Sequence, residues 1–392
     1  MDDFRAQAEA LRQELIERRR DFHRYPELAF QEVRTASIVA EELARLGLEV
    51  QTGIGKTGVV GILEGTGEGP TVLIRADMDA LPVQEENEVD YVSQTPGVMH
   101  ACGHDGHTAI ALGVAKLLAA QRNRLCGRVK FVFQPAEEIG RGAQAMAEDG
   151  VLNDPRPDVS LGLHLWNSLP LGKLGVADGP IMAGSATFTI HIAGKGGHAA
   201  IPQVSADPVL CAAQLITALH SIISRNVDPL ENAVLSVTSV TSGHAFNVIP
   251  QTADLKGTVR YYQQAVRDRV YERMQDCVQF VARAMGCTGT LKFTDMTLPV
   301  HNHPQVTARA RRRFAALVGE EGLDTTARTM GSEDVGLFMH DIPGMYFFLG
   351  AADSSAEVYY GHHHPRFTFD ENALSLGVAL LASAAADYVL PE

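Results

Sequence analysis

The chain has 392 residues, of which 45% are hydrophobic and 20% charged, and its formal net charge is −14 at pH 7. This length is enough for two or three domains and a large buried core. The acidic balance argues against nucleic acid or an anionic membrane surface as the main partner, because both are bound through clustered Lys and Arg.

Cysteine usage and the first segment favour a cytoplasmic protein. The five cysteines are an odd number without paired spacing, which is typical of reduced thiols. Residues 1–27 are charged and helical in pattern, without the apolar core of a signal peptide. No run of about 18 apolar residues occurs, so we expect no membrane span.

The first part of the chain predicts alternating helices and strands. Two helices come first, and Gly47 stops the second. The predicted order is helices at 2–21 and 35–47, strands at 59–65 and 71–76, a helix at 108–120, a strand at 128–134, a short helix near 141–149 and a strand at 158–164. This alternation favours an α/β domain with a largely parallel sheet flanked by helices.

The pattern changes near residue 182 to the β-α-β-β-α-β order of a ferredoxin-like α+β fold. Its elements are a strand at 185–194, a helix at 206–225, strands at 232–240 and 251–262, a helix at 263–285 and a strand at 288–296. The α/β pattern then resumes with a helix at 304–319, a strand at 344–350 and a helix at 371–388. We therefore predict one domain from 1–181 and 297–392, interrupted by an inserted domain at 182–296.

Residues of the types that bind metals follow several predicted strands. They are Asp77 and Asp79 after 71–76, Glu137 and Glu138 after 128–134, His164 at the end of 158–164, the loop "MHACGHDGH" at 99–107 and the loop "YYGHHHPRF" at 359–367. Binding sites in open α/β sheets form beyond the carboxyl ends of the strands. These groups therefore indicate one polar pocket.

A pocket of Cys, His and Glu suits zinc or a similar divalent ion. Cys102 and His104 are two residues apart, so both can face the same side of an extended loop. Glu137 and Glu138 are adjacent and should point in different directions. One glutamate can then bind metal while the other takes a proton from water, as metal-assisted hydrolysis requires.

The residues alone leave alternatives open. Cys102 beside His104 could be a nucleophile, although that leaves the two glutamates without a role, and a buried cysteine is also common as core filler. The triple histidine at 362–364 also suits a solvated loop. Asp105 and His107 fit positions behind the ligands or at the start of the helix.

The glycine-rich stretch "GKGGHAAIP" at 194–202 lacks the spacing of a phosphate-binding loop. One interpretation is a tight turn at the end of a strand. The other is that the glycines allow close approach of the backbone and present His198 to a ligand.

Seven motifs together resemble the aminoacylase-like metallopeptidases. They are "RADMDALP", "MHACGHDGH", "FQPAEE", "GLH", "GKGGHAAIP", "FNVIP" and "HHPRF". The resemblance runs from "RRDFHRYPELAFQE" to about residue 375 and is greatest for the branch with hippurate hydrolase, bacterial N-acyl-amino-acid amidohydrolases and plant auxin-conjugate hydrolases. It implies a catalytic domain with two divalent metals and an inserted lid domain that dimerises. The Cys and His ligands suit Zn²⁺, while Mn²⁺, Co²⁺ and Ni²⁺ tolerate similar sites.

The resemblance also implies roles for individual residues, matched by position. The implied metal ligands are Cys102, His104, Glu138, His164 and His363. In this branch the cysteine is a ligand rather than a nucleophile, and Glu137 matches the general base. The last histidine of the family lies two residues before a proline, which selects His363 over His362 and His364.

Further matches concern the lid and the surroundings of the ligands. His198 matches a lid histidine that reaches the partner subunit's active site and stabilises the oxyanion. Asn247 and Arg260 match lid positions that face the substrate, where a cationic arginine could hold a free carboxylate. Asp79 resembles an aspartate that orients a ligand from behind, and Glu333 in "MGSEDVGLF" resembles a pocket-lining segment.

Two positions depart from the family pattern. Ala186 stands where the family often has Asp before the first lid strand, and Val335 stands where it often has Phe after "SED". Neither matches a ligand. Both bear on substrate preference and on the packing of the lid.

The resemblance thus predicts a cytoplasmic di-metal amidohydrolase that splits N-acyl amino acids, hippurate-like or with acetyl or aryl-acyl groups, into a carboxylic acid and a free amino acid. Glu137 would take the proton of the attacking water and give it to the leaving amine, while His198 and the metals stabilise the oxyanion. We expect a homodimer through the lid, or a dimer of dimers. The alternatives are a dipeptidase or carboxypeptidase of the same family, a metal-dependent binding protein without catalysis and, more distantly, a thiol hydrolase.

Overall fold

The computed structural model describes residues 3–353 and 358–390. The helices, in chain order, are α1 (Phe4–Ala10), α2 (Arg12–Arg24), α3 (Val33–Arg45), α4 (His104–Ala120), α5 (Gly142–Glu148), α6 (Pro208–Asn226), α7 (Gln264–Ala284), α8 (Pro304–Val318), α9 (Phe338–Asp341) and α10 (Asn372–Val389). The first strands are β1 (Glu49–Ile54), β2 (Gly58–Glu64), β3 (Gly67–Asp77), β4 (Cys126–Gln134), β5 (Val159–Pro170), β6 (Leu174–Gly175), β7 (Gly179–Met182) and β8 (Gly184–Ala193). The remaining strands are β9 (Gly197–His198), β10 (Ala233–Ser242), β11 (Val248–Ile249), β12 (Thr252–Tyr261), β13 (Thr288–Thr297), β14 (Val300–Asn302), β15 (Leu323–Asp324) and β16 (Gly344–Ala352).

The contacts divide these elements into two compact units, each described by itself. Unit 1 comprises Met1–Ile181, Val300–Arg328 and Asp334–Glu392, and unit 2 comprises Met182–Pro299 and Thr329–Glu333. The second piece of unit 2 was not foreseen from the sequence. It is held within that unit by its backbone, since the Ala183 N–H donates to the Gly331 carbonyl at 2.8 Å.

Unit 1 has the predicted α/β architecture. Its described residues form an eight-stranded sheet with the order β1-β2-β4-β3-β5-β16-β6-β15. The central strands β4, β3, β5 and β16 run parallel, while β1 and β2 join one edge antiparallel. Residues 71–77 of β3 are buried without interruption, because helices cover both faces of a parallel sheet.

Helix α4 lies at the centre of unit 1, and 14 of its 17 residues are buried. Gly113 permits this close packing, because a Cβ there would lie 2.7 Å from a Val378 methyl carbon and 2.9 Å from one of Leu15. The helix begins at His104, earlier than the predicted start at 108, directly after Gly103 with its left-handed φ of 93°. Polar residues of the "MHACGHDGH" motif therefore lie inside the first buried turn.

Two helices, α6 and α10, are long and apolar enough to cross a membrane by length and composition alone. In α10, 72% of the apolar window is buried inside the folded chain, against 33% in α6. Buried core helices pass the same test, so the finding is weak evidence for a membrane span.

Unit 2 has the predicted ferredoxin-like topology. Its four-stranded sheet has the order β10-β12-β8-β13 with every pair antiparallel. Alternate residues of β8 are buried, among them Phe188 and Ile190, and they pack with Leu215 of α6 and Met274 of α7 in one apolar core. The period-2 alternation noted in the sequence therefore marks the face of the sheet that the helices cover.

The turn between β4 and α5 generates a prediction. A Cβ on Gly142 would lie 1.5 Å from the Pro135 carbonyl oxygen, so the turn that carries Glu137 and Glu138 requires glycine there. We expect Gly142→Ala to destabilise the protein by about 1–3 kcal/mol or more through overpacking and to weaken metal binding. Thermal unfolding and a metal titration measure the two effects.

Gly331→Ala is the matched control, because its Cβ would meet its nearest neighbour at 3.4 Å, an ordinary contact. Equal unfolding temperatures for the two variants would contradict the close approach at Gly142.

Candidate metal centre

The carboxyl ends of the parallel strands bring the five predicted ligands together. Donor atoms of Cys102, His104 and His164 lie within 4.8 Å of one another, and so do those of Cys102, Glu138 and His363. Cys102 belongs to both groups. One shared ligand between two groups of three is an arrangement that suits two neighbouring ions.

Cys102 and His104 do not reach the cluster through an extended loop, and that part of the prediction is wrong. Gly103 between them has a φ of 93°, and His104 is the first residue of α4. Only glycine readily adopts this left-handed conformation. A sharp turn at the start of a helix, rather than strand-like alternation, therefore places both side chains in the cluster.

A hydrogen bond at Nδ1, the ring nitrogen that faces away from the cluster, orients His104. Nδ1 donates to the Asp79 carbonyl at 2.9 Å, which leaves Nε2 directed to the cluster. Nε2 is buried and makes no hydrogen bond to oxygen or nitrogen among the described residues. Glu138 Oε1, 3.9 Å away, is also buried and without such a bond. Buried polar atoms are rarely left unpaired, so this pair fits a bound cation.

His164 is held in the form that binds metal. Its Nδ1 donates to the Leu165 carbonyl at 2.7 Å, so its lone pair is on Nε2, 3.5 Å from Cys102 Sγ. Burial, with help from His107, lowers the pKa of His164 well below its usual value, so the ring is neutral. Strand β5 continues past it to Pro170, so His164 lies inside the strand rather than at its end as predicted.

Among the three adjacent histidines, His363 faces the cluster. Its Nε2 lies 3.4 Å from Glu138 Oε2, and its backbone has a left-handed φ of 66° that is uncommon for a residue with a side chain. His362 instead directs Nε2 to a backbone carbonyl, and His364 stacks on Tyr360 with the ring centroids 4.5 Å apart. This geometry supports the choice of His363 as the ligand.

Asp79 holds the turn that carries the two glutamates. Its Oδ1 accepts the N–H of Glu137 and its Oδ2 that of Glu138, each at 3.0 Å. Ala136, just before them, has a left-handed φ of 54°, which sharpens the turn. The carboxylate of Glu137 lies within 4.8 Å of the ligand atoms of His104 and Glu138. One buried aspartate thus supports both a predicted ligand and the predicted base.

The cluster is rich in anionic groups. Burial raises the pKa of Glu138 to about 7, with Asp79 and Asp77 raising it and His104 opposing them. Burial and the charge of Glu138 raise the pKa of the Cys102 thiol well above its usual value. A divalent ion would favour both ionised forms. A thiol nucleophile needs a lowered pKa instead, so the thiol hydrolase loses support.

Sequence reasoning missed Arg75, which connects the strand ends beneath the cluster. Its side chain is 1% exposed and donates to Gln134 at 2.9 Å, Asp77 at 2.6 Å and Asp334 at 3.1 Å. The signal was an arginine within the apolar run "TVLIRA". A buried charge there must be paired, and the partners it requires come from three separate parts of the chain.

His107 lies behind the ligands, one of the two placements expected of it. Nδ1 donates to Asp77 Oδ1 at 2.6 Å, and Nε2 accepts the Leu165 N–H at 2.9 Å, so both ring nitrogens are engaged. Burial tends to raise the pKa of Asp77, but His104, His107 and Arg75 outweigh it and hold that pKa well below its usual range. Asp77 is therefore an ionised anchor for the imidazole.

The predicted lid residues His198 and Asn247 are neighbours within unit 2. His198 pairs with Val248 in the short ladder of β9 and β11, and the Ala199 N–H donates to the Asn247 carbonyl at 3.1 Å. Both side chains are exposed. His198 Nδ1 accepts the Ala200 N–H at 3.1 Å, which places the proton of a neutral ring on Nε2.

Arg260 and Glu333, also in unit 2, differ in exposure. Arg260 is half-buried and donates to the Ser332 hydroxyl, and no ion pair joins it to a carboxylate within residues 3–353 and 358–390. Burial lowers its pKa. Glu333 is only 1% exposed. Ala186 and Val335, the departures from the family pattern, are both buried, so those exchanges concern packing.

Comparisons with known proteins cover the part of the chain that forms this site. The profile of peptidase family M20/M25/M40 matches residues 73–387, which include all the candidate site residues. N-acetylcysteine deacetylase of Bacillus subtilis (strain 168) is 41% identical over 372 residues, 95% of this chain and 96% of that protein. Thermostable carboxypeptidase 2 of Saccharolobus solfataricus is 39% identical over 375 residues, 94% of each chain.

A solved structure is similar over nearly the whole length. The YXEP protein of Bacillus subtilis, described as a dinuclear metal binding peptidase from the M20 family, superimposes with a TM-score of 0.84 at 37% identity. The match covers 96% of this chain and 98% of that protein.

The raised pKa of Glu138 generates a prediction for the metal-free protein. Its folded pKa of about 7 lies above the ordinary 4.5, so the protonated carboxyl is favoured by folding. The stability that depends on it is present below about pH 4.5 and is lost as pH rises through about 7. In chelator, we expect Glu138→Gln to remove this fall, to unfold at a higher temperature than wild type at pH 8, and to bind metal roughly tenfold or more weakly.

Thermal unfolding at several pH values and a Zn²⁺ titration test this. Glu148→Gln, at an exposed glutamate of the nearby α5, should behave as wild type. If Glu138→Gln and wild type lost stability equally as the pH rises, the burial of the Glu138 carboxylate would not be the cause of that loss.

Proposed function

The chain belongs to peptidase family M20/M25/M40, and we propose that it is a di-metal amidohydrolase that cleaves N-acyl amino acids into a carboxylic acid and a free amino acid. The coarser statement, a metal-binding hydrolase of amide bonds, follows from the family. The observation that carries the hydrolytic activity is the position of Glu137, and the N-acyl substrate rests on similarity to a deacetylase. Its carboxylate lies beside His104 and Glu138, and its backbone is fixed by Asp79.

The ligand set fits two divalent ions, Zn²⁺ or Mn²⁺, with Co²⁺ or Ni²⁺ as alternatives. The residues that would hold them are Cys102, His104, Glu138, His164 and His363. When bound, such ions polarise a carbonyl group and lower the pKa of water. Unpaired buried atoms on His104 and Glu138 and the unfavourable burial of the Cys102 thiolate support this assignment.

Glu137 would act as the proton carrier. Its carboxylate takes a proton from the water that attacks the acyl carbon, and it returns this proton to the leaving nitrogen when the C–N bond breaks. The water thus supplies OH to the acid product and H to the amine product. A protein that only bound metal would have no need of a carboxylate held at this position.

Residues of unit 2 would hold the substrate. Nε2 of His198 carries the proton in the neutral ring and can donate to the oxygen that becomes negative during attack. Arg260, half-buried and without a carboxylate partner among the described residues, suits a free carboxylate of the substrate. Asn247 beside His198 would add a polar contact, and Glu333 remains a proposed pocket-lining residue.

The choice of N-acyl amino acids has one rival within the family. The name of one relative, a deacetylase, supports an N-acyl substrate, and that of the other supports a carboxypeptidase or dipeptidase. Substrates of both kinds have a free carboxylate that Arg260 would bind. They differ at the amino side, where one substrate is blocked and the other carries a free amine.

We further propose a cytoplasmic homodimer formed through unit 2, with a dimer of dimers as a higher state and no nucleic acid or membrane as partner. Large exposed apolar residues of unit 2 support this, since such patches mark interfaces. They include Ile201, Val204, Val209, Leu210, Phe246 and Val248. The five cysteines form no disulfide in the described chain, which suits a reducing compartment.

The base assignment predicts that Glu137→Gln lowers turnover by roughly 10²–10⁴-fold while metal binding is retained. Chelated protein is assayed with and without added Zn²⁺ or Mn²⁺ on benzoyl-, acetyl- and indoleacetyl-amino acids and on free dipeptides. We expect metal to restore hydrolysis of the N-acylated substrates alone.

Glu148→Gln is again the control. Hydrolysis of free dipeptides alone would favour the peptidase, and metal uptake without any hydrolysis would favour the binding protein. Unchanged turnover in Glu137→Gln would refute the base assignment.

His198 acting across a dimer predicts complementation between two inactive variants. His198→Ala removes the oxyanion donor and should lower kcat by roughly 10²–10³-fold, while Glu137→Gln removes the base. A mixed dimer pairs the intact His198 of one subunit with the intact Glu137 of the other. We expect co-expressed, separately tagged variants to regain up to about half the activity per dimer; no recovery in isolated mixed dimers would place His198 in its own subunit's site.

A further inference from the structure

Helix α2 contains a buried charged motif that the proposed function does not use. Arg19 and His23 lie one turn apart and are 1% and 0% exposed. Arg19 Nε donates to Asp105 Oδ2 at 2.8 Å, and His23 Nδ1 lies 2.7 Å from the same oxygen. The other ring nitrogen of His23 lies 3.0 Å from Glu85 Oε1. Because both ring nitrogens face carboxylate oxygens, both carry protons and the ring is cationic.

Asp105 connects this network to the candidate metal centre. It follows His104 directly in the first turn of α4, and it is fully buried. Its Oδ2 is held by α2, while its Oδ1 accepts the Gly106 N–H at 2.9 Å within the same turn. A carboxylate beside a predicted ligand is thus held by hydrogen bonds from a helix 86 positions away in sequence.

The network is a costly way to pack a helix. Burying an ion pair often contributes less stability than apolar residues of the same volume, because each charge loses its hydration. The same helix shows the ordinary alternative in Arg18, whose side chain is 28% exposed and pairs with Glu42. A network of four buried ionic groups is therefore better explained by the geometry that it imposes on its neighbours than by the stability that it adds.

We propose that Arg19 and His23 are positioning residues that hold the turn from Cys102 to Asp105 in the geometry that binds metal. The proposal rests on the metal role of this turn in the proposed function. Gly103, in the middle of the turn, has a left-handed φ, and the helical hydrogen bonds of α4 begin at its carbonyl, so Cys102 lies outside them. The carboxylate of Asp105 adds a constraint from outside the helix, and α2 fixes the carboxylate.

The test measures metal binding rather than turnover. The variants are Arg19→Met and His23→Gln, with Arg19→Lys as the conservative change and Arg18→Met as the matched control on the same helix, because Arg18 pairs with Glu42 outside the network. Zn²⁺ affinity is measured by competition with a chromophoric chelator, on protein shown by circular dichroism to be folded. We expect Arg19→Met and His23→Gln to weaken Zn²⁺ binding by roughly 10–100-fold, as loss of groups behind metal ligands does, Arg19→Lys to weaken it less, and Arg18→Met to leave it unchanged.

A second readout separates positioning from stability. Co²⁺ bound at saturation shows absorption bands whose energies depend on the coordination geometry. We expect these bands to shift in Arg19→Met and His23→Gln and to stay fixed in Arg18→Met. Variants that unfold at lower temperature but keep wild-type Zn²⁺ affinity and wild-type Co²⁺ bands would overturn the proposal.

Failure of the proposed function looks different. Wild-type protein that binds neither Zn²⁺ nor Co²⁺ would remove the metal role itself, whereas wild-type binding that is equal in all variants would remove only the role of α2. If Arg19→Met does not fold, His23→Gln and Arg19→Lys decide the question by the same two measurements.

Discussion

The burial of anionic groups at the carboxyl edge of one sheet is the constraint on which unit 1 depends. The protein neutralises some of them itself, since Asp77 faces Arg75 and Asp105 faces Arg19. Glu138 is different. It has no arginine or lysine partner in the described part of the chain, and the basic side chains near it are those of His104 and His363. The first kind of carboxylate belongs to the scaffold. The second kind is complete only with a cation from outside.

The order of helices and strands could be predicted because most elements are long and strongly patterned. Both the parallel core of unit 1 and the ferredoxin-like order of unit 2 were recognised in this way. Short elements were missed, among them β6, β9, β11 and β15, because two residues show no periodicity. The start of α4 at His104 was also missed, because a sequence as polar as "HDGH" is usually found on the exposed face of a helix. Here that polar turn is buried, and tertiary contacts decided the boundary.

In the candidate site, too, some residues could be predicted from the sequence and others could not. Its donor residues could be predicted because their types are chemically specific and their motifs resemble those of a family. Their supports could not, because Arg19 reaches Asp105 and Arg75 reaches Asp334 across long separations that no local pattern records. The family resemblance selected His363 among the three histidines, but the left-handed φ of its backbone follows from the fold around it and could not be predicted. Sequence thus names the donors, and packing decides where they point.

Because Thr329–Glu333 belongs to unit 2, it affects how this unit can be exchanged between related proteins. These five residues contact the inserted segment through Arg260 to Ser332 and through the Tyr262 hydroxyl to the Thr329 carbonyl at 3.0 Å. Unit 2 is therefore assembled from two separate stretches of chain, although the sequence suggests a single insertion. A chimera that exchanged only residues 182–299 with a relative would set a foreign insert against the native Thr329–Glu333. Modular exchange of unit 2 between members of this family must carry both pieces together.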